Sequence, residues 1–209
     1  MAFAAAGLGL ATPASAQGPA AGRGATILVV GDSLSAEYGL KRGTGWVALL
    51  TARLREQRVG ANVVNASISG DTTSGGRSRL PALLKQHRPN IVILELGGND
   101  ALRGLPLAMT QDNLDAMARA SKAAGTRVVI AGMQLPPNYG RKYGADFAAL
   151  FADVARAQGA ALVPFLLKNV ADIPKAEAFF QADRIHPKES AQPLILENVW
   201  AVLEPLLRG

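Results

Sequence analysis

Residues 27–35 read ILVVGDSLS: four apolar residues, then a short turn that carries a glycine, an aspartate and two serines. The apolar run does not alternate with polar residues, which is typical of a strand buried on both faces of a parallel sheet. Four more such runs follow along the chain, at Val63–Ser67, Ile91–Leu96, Val128–Ala131 and Ala161–Phe165. Each predicts a strand.

Amphipathic stretches separate these runs and predict helices. They are Trp46–Arg58, Thr73–His87, Asn113–Ala124, Phe147–Gln158 and Pro193–Leu207, the last expected to break near its end at Pro205. Alternating strands and helices favour right-handed βαβ units, and so an α/β protein built as a three-layer α/β/α sandwich. No repeat or linker divides the chain, so residues 25–209 are expected to form one domain.

The first sixteen residues, MAFAAAGLGLATPASA, are small and apolar and end in Ala14-Ser15-Ala16. This pattern resembles a secretory signal with its cleavage site, although a basic start is missing. Residues 17–24 are then a flexible leader, and the protein is expected to be periplasmic or secreted. No stretch reaches the length of a membrane span, so stable membrane insertion is not expected.

Composition excludes several kinds of site. The 209 residues contain no cysteine, which rules out disulfides, thiol nucleophiles and cysteine metal sites. The two histidines, His87 and His186, are too few for a three-histidine metal site. The net charge is +6, but the basic residues are scattered and only 5% of residues are aromatic, so nucleic acid is not an expected partner.

Polar segments follow the predicted strands, where ligands bind in open α/β sheets. They are Gly31-Asp32-Ser33-Leu34-Ser35, Ser69-Gly70-Asp71 and Gly97-Gly98-Asn99-Asp100, with Asp183-Arg184-Ile185-His186-Pro187 further downstream. All four are expected at one edge of the sheet. Taken singly, each has a plainer interpretation, such as a helix cap for a serine or a turn for a glycine.

Taken together, these segments supply complementary chemical roles. Ser33 is a poor nucleophile until a base takes its proton; His186 is that base, and Asp183 orients it. The backbone N–H groups of Ser33 and Gly70 and the amide of Asn99 are candidate donors to an oxyanion. The set contains every group that acyl transfer needs.

The four segments resemble the four sequence blocks of the SGNH (GDSL-type) hydrolases, and within them the bacterial periplasmic thioesterase, lysophospholipase and arylesterase group. Stretches such as VVNASISGDT (63–72) and DRIHPKESAQP (183–193) extend the resemblance from about Ile27 to Leu207. It implies a flavodoxin-like sheet of five parallel strands in the order 2-1-3-4-5. It also implies a Ser33–His186–Asp183 triad, an oxyanion hole of Ser33, Gly70 and Asn99, and neither a metal nor an organic cofactor.

The resemblance predicts a small-molecule ester or thioester as substrate and leaves the oligomeric state open. Two rivals remain: a carbohydrate O-deacetylase of the same superfamily and a non-catalytic module that binds lipid or a partner. The chain departs from close relatives at Glu37 and Ala101, both expected beside the site. Candidate substrate contacts are Leu34, Glu37, Leu135, Pro136, Tyr139 and Ile185.

Overall fold

The computed structural model describes Met1 and residues 24–208, and the sheet has five parallel strands. The strands are β1 (Ala25–Gly31), β2 (Ala61–Asn65), β3 (Ile91–Glu95), β4 (Arg127–Ala131) and β5 (Ala161–Val163). Their order is β2-β1-β3-β4-β5, which confirms the expected α/β sandwich and its topology. The predicted signal and leader fall almost entirely on residues 2–23, outside the described residues.

Six helices surround the sheet in the described part of the chain. They are α1 (Trp46–Glu56), α2 (Thr73–His87), α3 (Gly98–Leu102), α4 (Leu107–Ala123), α5 (Arg141–Gln158) and α6 (Gln192–Arg208). None of the helices in residues 24–208 is long and apolar enough to cross a membrane.

Three helix predictions need correction. Helix α5 begins at Arg141, six residues before the predicted start at Phe147. Helix α4 begins six residues before Asn113, directly after Pro106, whose φ of −58° suits the entry to a helix. Helix α6 continues through Pro205 to Arg208. Pro205 lies in the last turn, where it removes a single backbone donor, and its partly buried neighbours Leu206 and Leu207 still pack on the core.

Alternate residues of each central strand supply two separate cores. Ile27 and Val29 of β1 pack with α1 and α6 on one face of the sheet. Leu28 and Val30 pack with α2, α4 and α5 on the other. All four side chains are completely buried, and burying each contributes roughly 1.5–3 kcal/mol relative to leaving it exposed. This double burial explains why the strands are continuously apolar in sequence.

Strand β5 is shorter than predicted and ends at Val163 rather than Phe165. Pro164 has no N–H to continue the ladder, and the chain turns across the end of β4 instead. The Gly132 N–H donates to the Val163 carbonyl, and the Leu166 N–H donates to the Gly132 carbonyl, both at 2.8 Å. Residues from Phe165 onwards are thereby released from the sheet.

Replacing Gly132 with alanine should destabilise the fold. A Cβ there would lie 2.5 Å from the Pro164 carbonyl oxygen and 2.9 Å from that of Val163, both backbone atoms. We expect the free energy of unfolding to fall by about 1–3 kcal/mol in urea titrations. Gly144→Ala is the matched control, because Gly144 lies in α5 with open space around it. Alanine there should stabilise by up to about 1 kcal/mol; equal effects at both sites would contradict this account.

Candidate active site

Three side chains from two distant loops form one hydrogen-bonded chain at the carboxyl edge of the sheet. The Oγ of Ser33 lies 2.9 Å from Nε2 of His186. Nδ1 of the same ring lies 2.7 Å from Oδ2 of Asp183. This geometry lets the imidazole take a proton from the serine while the carboxylate holds its other nitrogen.

Asp183 is held as a carboxylate by its own loop. Desolvation raises its pKa, but backbone N–H bonds from His186 and Ile185 and the His186 side chain outweigh it and lower the pKa to about 2. The backbone bonds to Oδ1 are 2.9 and 3.0 Å long. Because the folded-state pKa is depressed, this group stabilises the fold above the unfolded pKa near 3.8, and the contribution is lost as pH falls through 2. Asp183 is therefore charged throughout the neutral pH range.

The loop that carries His186 is tied to itself and to the loop of Ser33. The Gln181 N–H donates to the His186 carbonyl at 2.8 Å, and the Gln181 side-chain amide donates to the Tyr38 carbonyl at 2.9 Å. The ring of Tyr38 lies 4.3 Å from the His186 ring, centroid to centroid, at an interplanar angle of 40°. Tyr38 therefore restricts the imidazole from one side.

Two of the predicted oxyanion donors are backbone N–H groups, those of Ser33 and Gly70. Gly70 has a φ of +79°, a conformation that favours glycine, and its carbonyl accepts a 2.7 Å hydrogen bond from Nη2 of Arg103. Within residues 24–208, neither the Gly70 N–H nor the Ser33 N–H donates to a protein acceptor. Such donors suit an oxygen that becomes negative during a reaction.

Asn99 lies in the first turn of α3, and both protons of its side-chain amide have partners. Nδ2 donates to Oδ2 of Asp32 and to the Asp71 carbonyl, each at 2.9 Å. The amide nitrogen therefore faces the Ser33 loop. Asn99, Ser33 and Asp32 all line the same cavity.

Two buried carboxyl groups lie beneath the serine loop. Burial raises the pKa of Asp32 to about 6, against the lowering effect of hydrogen bonds from Leu34 and Asn99. Burial, together with the charge of Asp32, raises the pKa of Glu95 well above its ordinary value. Oε2 of Glu95 accepts the Ser35 hydroxyl at 2.6 Å and the Asp32 N–H at 3.2 Å. In both groups, burial favours the neutral carboxyl over the carboxylate.

A cavity of about 550 Å³ opens beside Ser33 and His186. It extends from the end of β1 past α3 and β4 to the segment after β5, and its walls are mainly apolar. The apolar lining residues are Leu34, Leu102, Met133, Leu135, Pro136, Phe147, Phe165, Leu166, Leu167, Ala171, Ala176, Phe180 and Ile185. A serine that lines a mainly apolar cavity suits a substrate with an apolar group better than a polar substrate.

Residues 29–192 match the model of the GDSL-like lipase/acylhydrolase family. The sequence is 52% identical over 182 residues to esterase TesA of Pseudomonas aeruginosa, which covers 87% of this chain and 89% of that protein. The chain belongs to the GDSL-like lipase/acylhydrolase family.

Two further comparisons support this assignment. Thioesterase 1/protease 1/lysophospholipase L1 of Escherichia coli K12 is 42% identical over 182 residues, covering 87% of this chain and 85% of that protein. A crystal structure of TesA superposes with a TM-score of 0.83 at 51% identity, covering 87% of this chain and 99% of that one. The resemblance to GDSL-type hydrolases is confirmed, and with it the expectation of a carboxylic ester hydrolase.

Of the six predicted substrate contacts, four line the cavity of this family member: Leu34, Leu135, Pro136 and Ile185. Glu37 and Tyr139 are not among the lining residues. Glu37 has a φ of +61°, and its carboxylate accepts the Gly43 N–H at 3.0 Å and the Gly45 N–H at 2.8 Å. It orders the loop before α1 instead. Ala101, the other departure from close relatives, is 2% exposed and packs in the core.

Several site residues have no clear signal in the sequence. No motif marks Tyr38. Leu167 and Phe180, which line the cavity, lie in a stretch for which the sequence predicts neither a helix nor a strand. Glu95 reads as one more residue of a buried strand, and only its charge marks it as unusual. Within the described residues, no group of three His, Asp or Glu side chains is placed to hold a metal ion.

Removing the Glu37 carboxylate should affect stability and leave catalysis almost unchanged. Glu37→Ala leaves the Gly43 and Gly45 N–H groups without their acceptor, at a cost of about 1–3 kcal/mol in unfolding free energy. We expect kcat/KM for p-nitrophenyl acetate to stay within about threefold, because the carboxylate contacts no reacting group. Glu37→Gln, which keeps an acceptor oxygen, is the matched control. If Glu37→Ala instead changed the preference between anionic and neutral esters without loss of stability, Glu37 would be a substrate contact, as the sequence predicted.

Proposed function

We propose that this enzyme hydrolyses esters and thioesters of short- to medium-chain carboxylic acids through an acyl-enzyme on Ser33. The observation that carries the proposal is the hydrogen-bonded chain Ser33–His186–Asp183, whose serine and histidine line a mainly apolar cavity. Residues 25–209 act as one hydrolase domain, because the site draws on segments from the end of β1 to the loop before α6.

In the acylation step, Ser33 Oγ attacks the carbonyl carbon and gives its proton to Nε2 of His186. The new imidazolium is stabilised by Asp183, which stays ionised because its pKa is about 2. His186 then passes the proton to the leaving alcohol or thiol as the bond between that group and the carbonyl carbon breaks. The products are the free alcohol or thiol and the acyl-enzyme.

In the deacylation step, water takes the place of the leaving group. His186 accepts a proton from the water as its oxygen bonds to the carbonyl carbon, then returns the proton to Ser33 as the acyl–serine bond breaks. The carboxylic acid leaves and the serine is restored. The same imidazole acts as base and then as acid in both steps, so a single rigid loop can carry the proton-transfer group for the whole reaction.

The oxyanion of each tetrahedral intermediate is stabilised by the N–H groups of Ser33 and Gly70 and by the Asn99 amide. The two backbone donors have no competing protein acceptor in the described residues, which supports this role. Preorganised donors of this kind typically contribute 10²- to 10³-fold to kcat, or roughly 3–4 kcal/mol each.

The acyl chain occupies the cavity that extends toward β5. From β1 to β5 there are three strand intervals, about 14 Å at roughly 4.8 Å each, which leaves room for a chain of medium length. Each methylene buried contributes about 0.8 kcal/mol, or roughly fourfold in kcat/KM. The apolar walls favour this reading over a carbohydrate O-deacetylase, whose sugar substrate requires polar contacts. The intact triad geometry disfavours a module that only binds.

We further propose that the enzyme is exported and that cleavage follows Ala16. The support is the small, apolar stretch that ends in Ala14-Ser15-Ala16. Intact-mass measurement of protein from the periplasm or the medium should give a chain beginning at Gln17. A chain retained inside the cell at full mass would contradict export.

Ser33→Ala should abolish turnover while preserving the fold. We expect kcat on p-nitrophenyl butyrate to fall on the order of 10⁴-fold or more, as for other triad deletions. A fluorophosphonate probe should label the wild type once, on the peptide that contains Ser33, and should not label the variant. Labelling at another serine, or turnover by Ser33→Ala, would overturn the assignment.

Narrowing the cavity should shorten the preferred acyl chain. Ala171 lies in the segment after β5, is exposed and lines the cavity, so Ala171→Trp adds bulk there without disturbing the core. We expect the loss of kcat/KM to be at least about tenfold larger for p-nitrophenyl decanoate than for the acetate. Ala178→Trp is the matched control, because Ala178 is exposed but does not line the cavity. Equal losses on both esters would place the acyl chain elsewhere.

A further inference from the structure

Asp32 has a contact pattern that the triad mechanism does not use. It is 2% exposed and directly precedes the nucleophile. Its Oδ1 accepts the Leu34 N–H at 3.0 Å, and its Oδ2 accepts Nδ2 of Asn99 at 2.9 Å. A carboxylate offers no proton to an amide oxygen, so this contact permits only one orientation of the Asn99 side chain, with the nitrogen toward the Ser33 loop.

A second layer holds Asp32 itself. Its backbone N–H donates to Oε2 of Glu95, which also accepts the Ser35 hydroxyl, and Nε1 of Trp46 donates to that hydroxyl oxygen at 3.2 Å. Glu95 is completely buried, and its Oε1 bonds no group in the described part of the chain. A neutral carboxyl tolerates such a site far better than a carboxylate does, which leaves the negative charge with Asp32.

The second proton of the Asn99 amide donates to the Asp71 carbonyl. An oxyanion that forms on the substrate must therefore compete with one of the two present acceptors. Charged acceptors bind N–H groups about twice as strongly as neutral ones. The oxyanion accordingly replaces the neutral Asp71 carbonyl as the acceptor of one Asn99 N–H. The Asp32 carboxylate remains the acceptor of the other.

We propose that Asp32 is a positioning residue for hydrolysis, whose carboxylate orients the Asn99 amide so that one N–H is presented to the oxyanion. The proposal rests on the proposed role of Asn99 in the oxyanion hole. It assigns Asp32 no contact with substrate and no proton transfer. Asp32 acts through Asn99, and its effect should vanish when Asn99 is removed.

A double-mutant cycle tests this dependence. With p-nitrophenyl butyrate we expect Asp32→Asn to lower kcat about 10- to 100-fold with little change in KM, and Asn99→Ala to lower it roughly 10²- to 10³-fold. The double variant should be within about threefold of Asn99→Ala alone. If the two losses multiply, or if Asp32→Asn is as active as the wild type, the proposal is wrong.

Asp100→Asn is the matched control for a buried carboxylate near the site. Asp100 is completely buried and accepts the Thr73 N–H at 2.9 Å, but its side chain makes no hydrogen bond to the Asn99 amide. Any loss it causes should multiply with that of Asn99→Ala. If Asn99→Ala alone is silent, the oxyanion assignment under the proposed function fails, and this outcome is distinct from a multiplicative cycle.

The stability of Asp32→Asn separates positioning from a merely structural role. Burial raises the pKa of Asp32 to about 6, so its contribution to stability is present below the unfolded pKa near 3.8 and is lost as pH rises through 6. The difference in Tm, variant minus wild type, should therefore be more positive at pH 8 than at pH 5. A variant that loses activity only in proportion to a lowered Tm would show that Asp32 is structural.

The wild-type pH profile keeps the proposal testable if Asp32→Asn does not fold. The titratable groups that face Asp32 are Glu95 from β3, Asp71 from the loop after β2 and His186 from the loop before α6. Hydrolysis is fastest when His186 and Asp32 are both deprotonated, so log kcat/KM should fall with a slope steeper than one as pH drops below the Asp32 pKa of about 6. With circular dichroism confirming a folded protein over that range, a slope of one would overturn the proposal.

Discussion

The parallel register that pairs Gly31 with Glu95 is the constraint on which the catalytic centre depends. Because β1 and β3 are adjacent and end together, the loops of Ser33 and Asn99 begin side by side. Gly31 leaves room for this arrangement, since a Cβ there would lie 2.5 Å from Oε2 of Glu95. The Glu95 carboxyl fills that space and bonds the backbone of the next residue, so the register of the sheet is transmitted directly to the nucleophile loop.

The histidine reaches the site by a different route. Its loop follows β5 at a distance of about twenty residues, and no strand end positions it. An antiparallel bridge between Phe180 and Pro187 closes the loop on itself, and Gln181 bonds it to the Tyr38 carbonyl beyond the nucleophile. The base therefore depends on tertiary contacts between two loops, whereas the nucleophile and the amide donor depend on the sheet.

The sequence predicted best what is governed by burial. Continuous apolar runs identified all five strands because both faces of each are covered, whereas the strand order followed from the family resemblance. The start of α4 was missed because its first turn follows a proline rather than a polar cap. The direction of the Glu37 side chain could not be predicted, since it depends on a positive φ that few non-glycine residues adopt. The cavity wall after β5 has no periodic pattern, because its residues face an open space rather than a helix or strand.

Because β5 ends early, the segment that lines the cavity is separate from the strands that position the nucleophile. The segment after Val163 contributes Phe165, Leu167 and Phe180 to the cavity but forms no part of the sheet ladder. Residues can be added to this segment at small cost, because the entropy lost on closing a loop increases only slowly with its length. The register between β1 and β3 is unaffected by such changes. Substrate range in this architecture is therefore free to diverge by insertion and replacement soon after β5, while the strand register that positions the nucleophile and the amide donor stays the same.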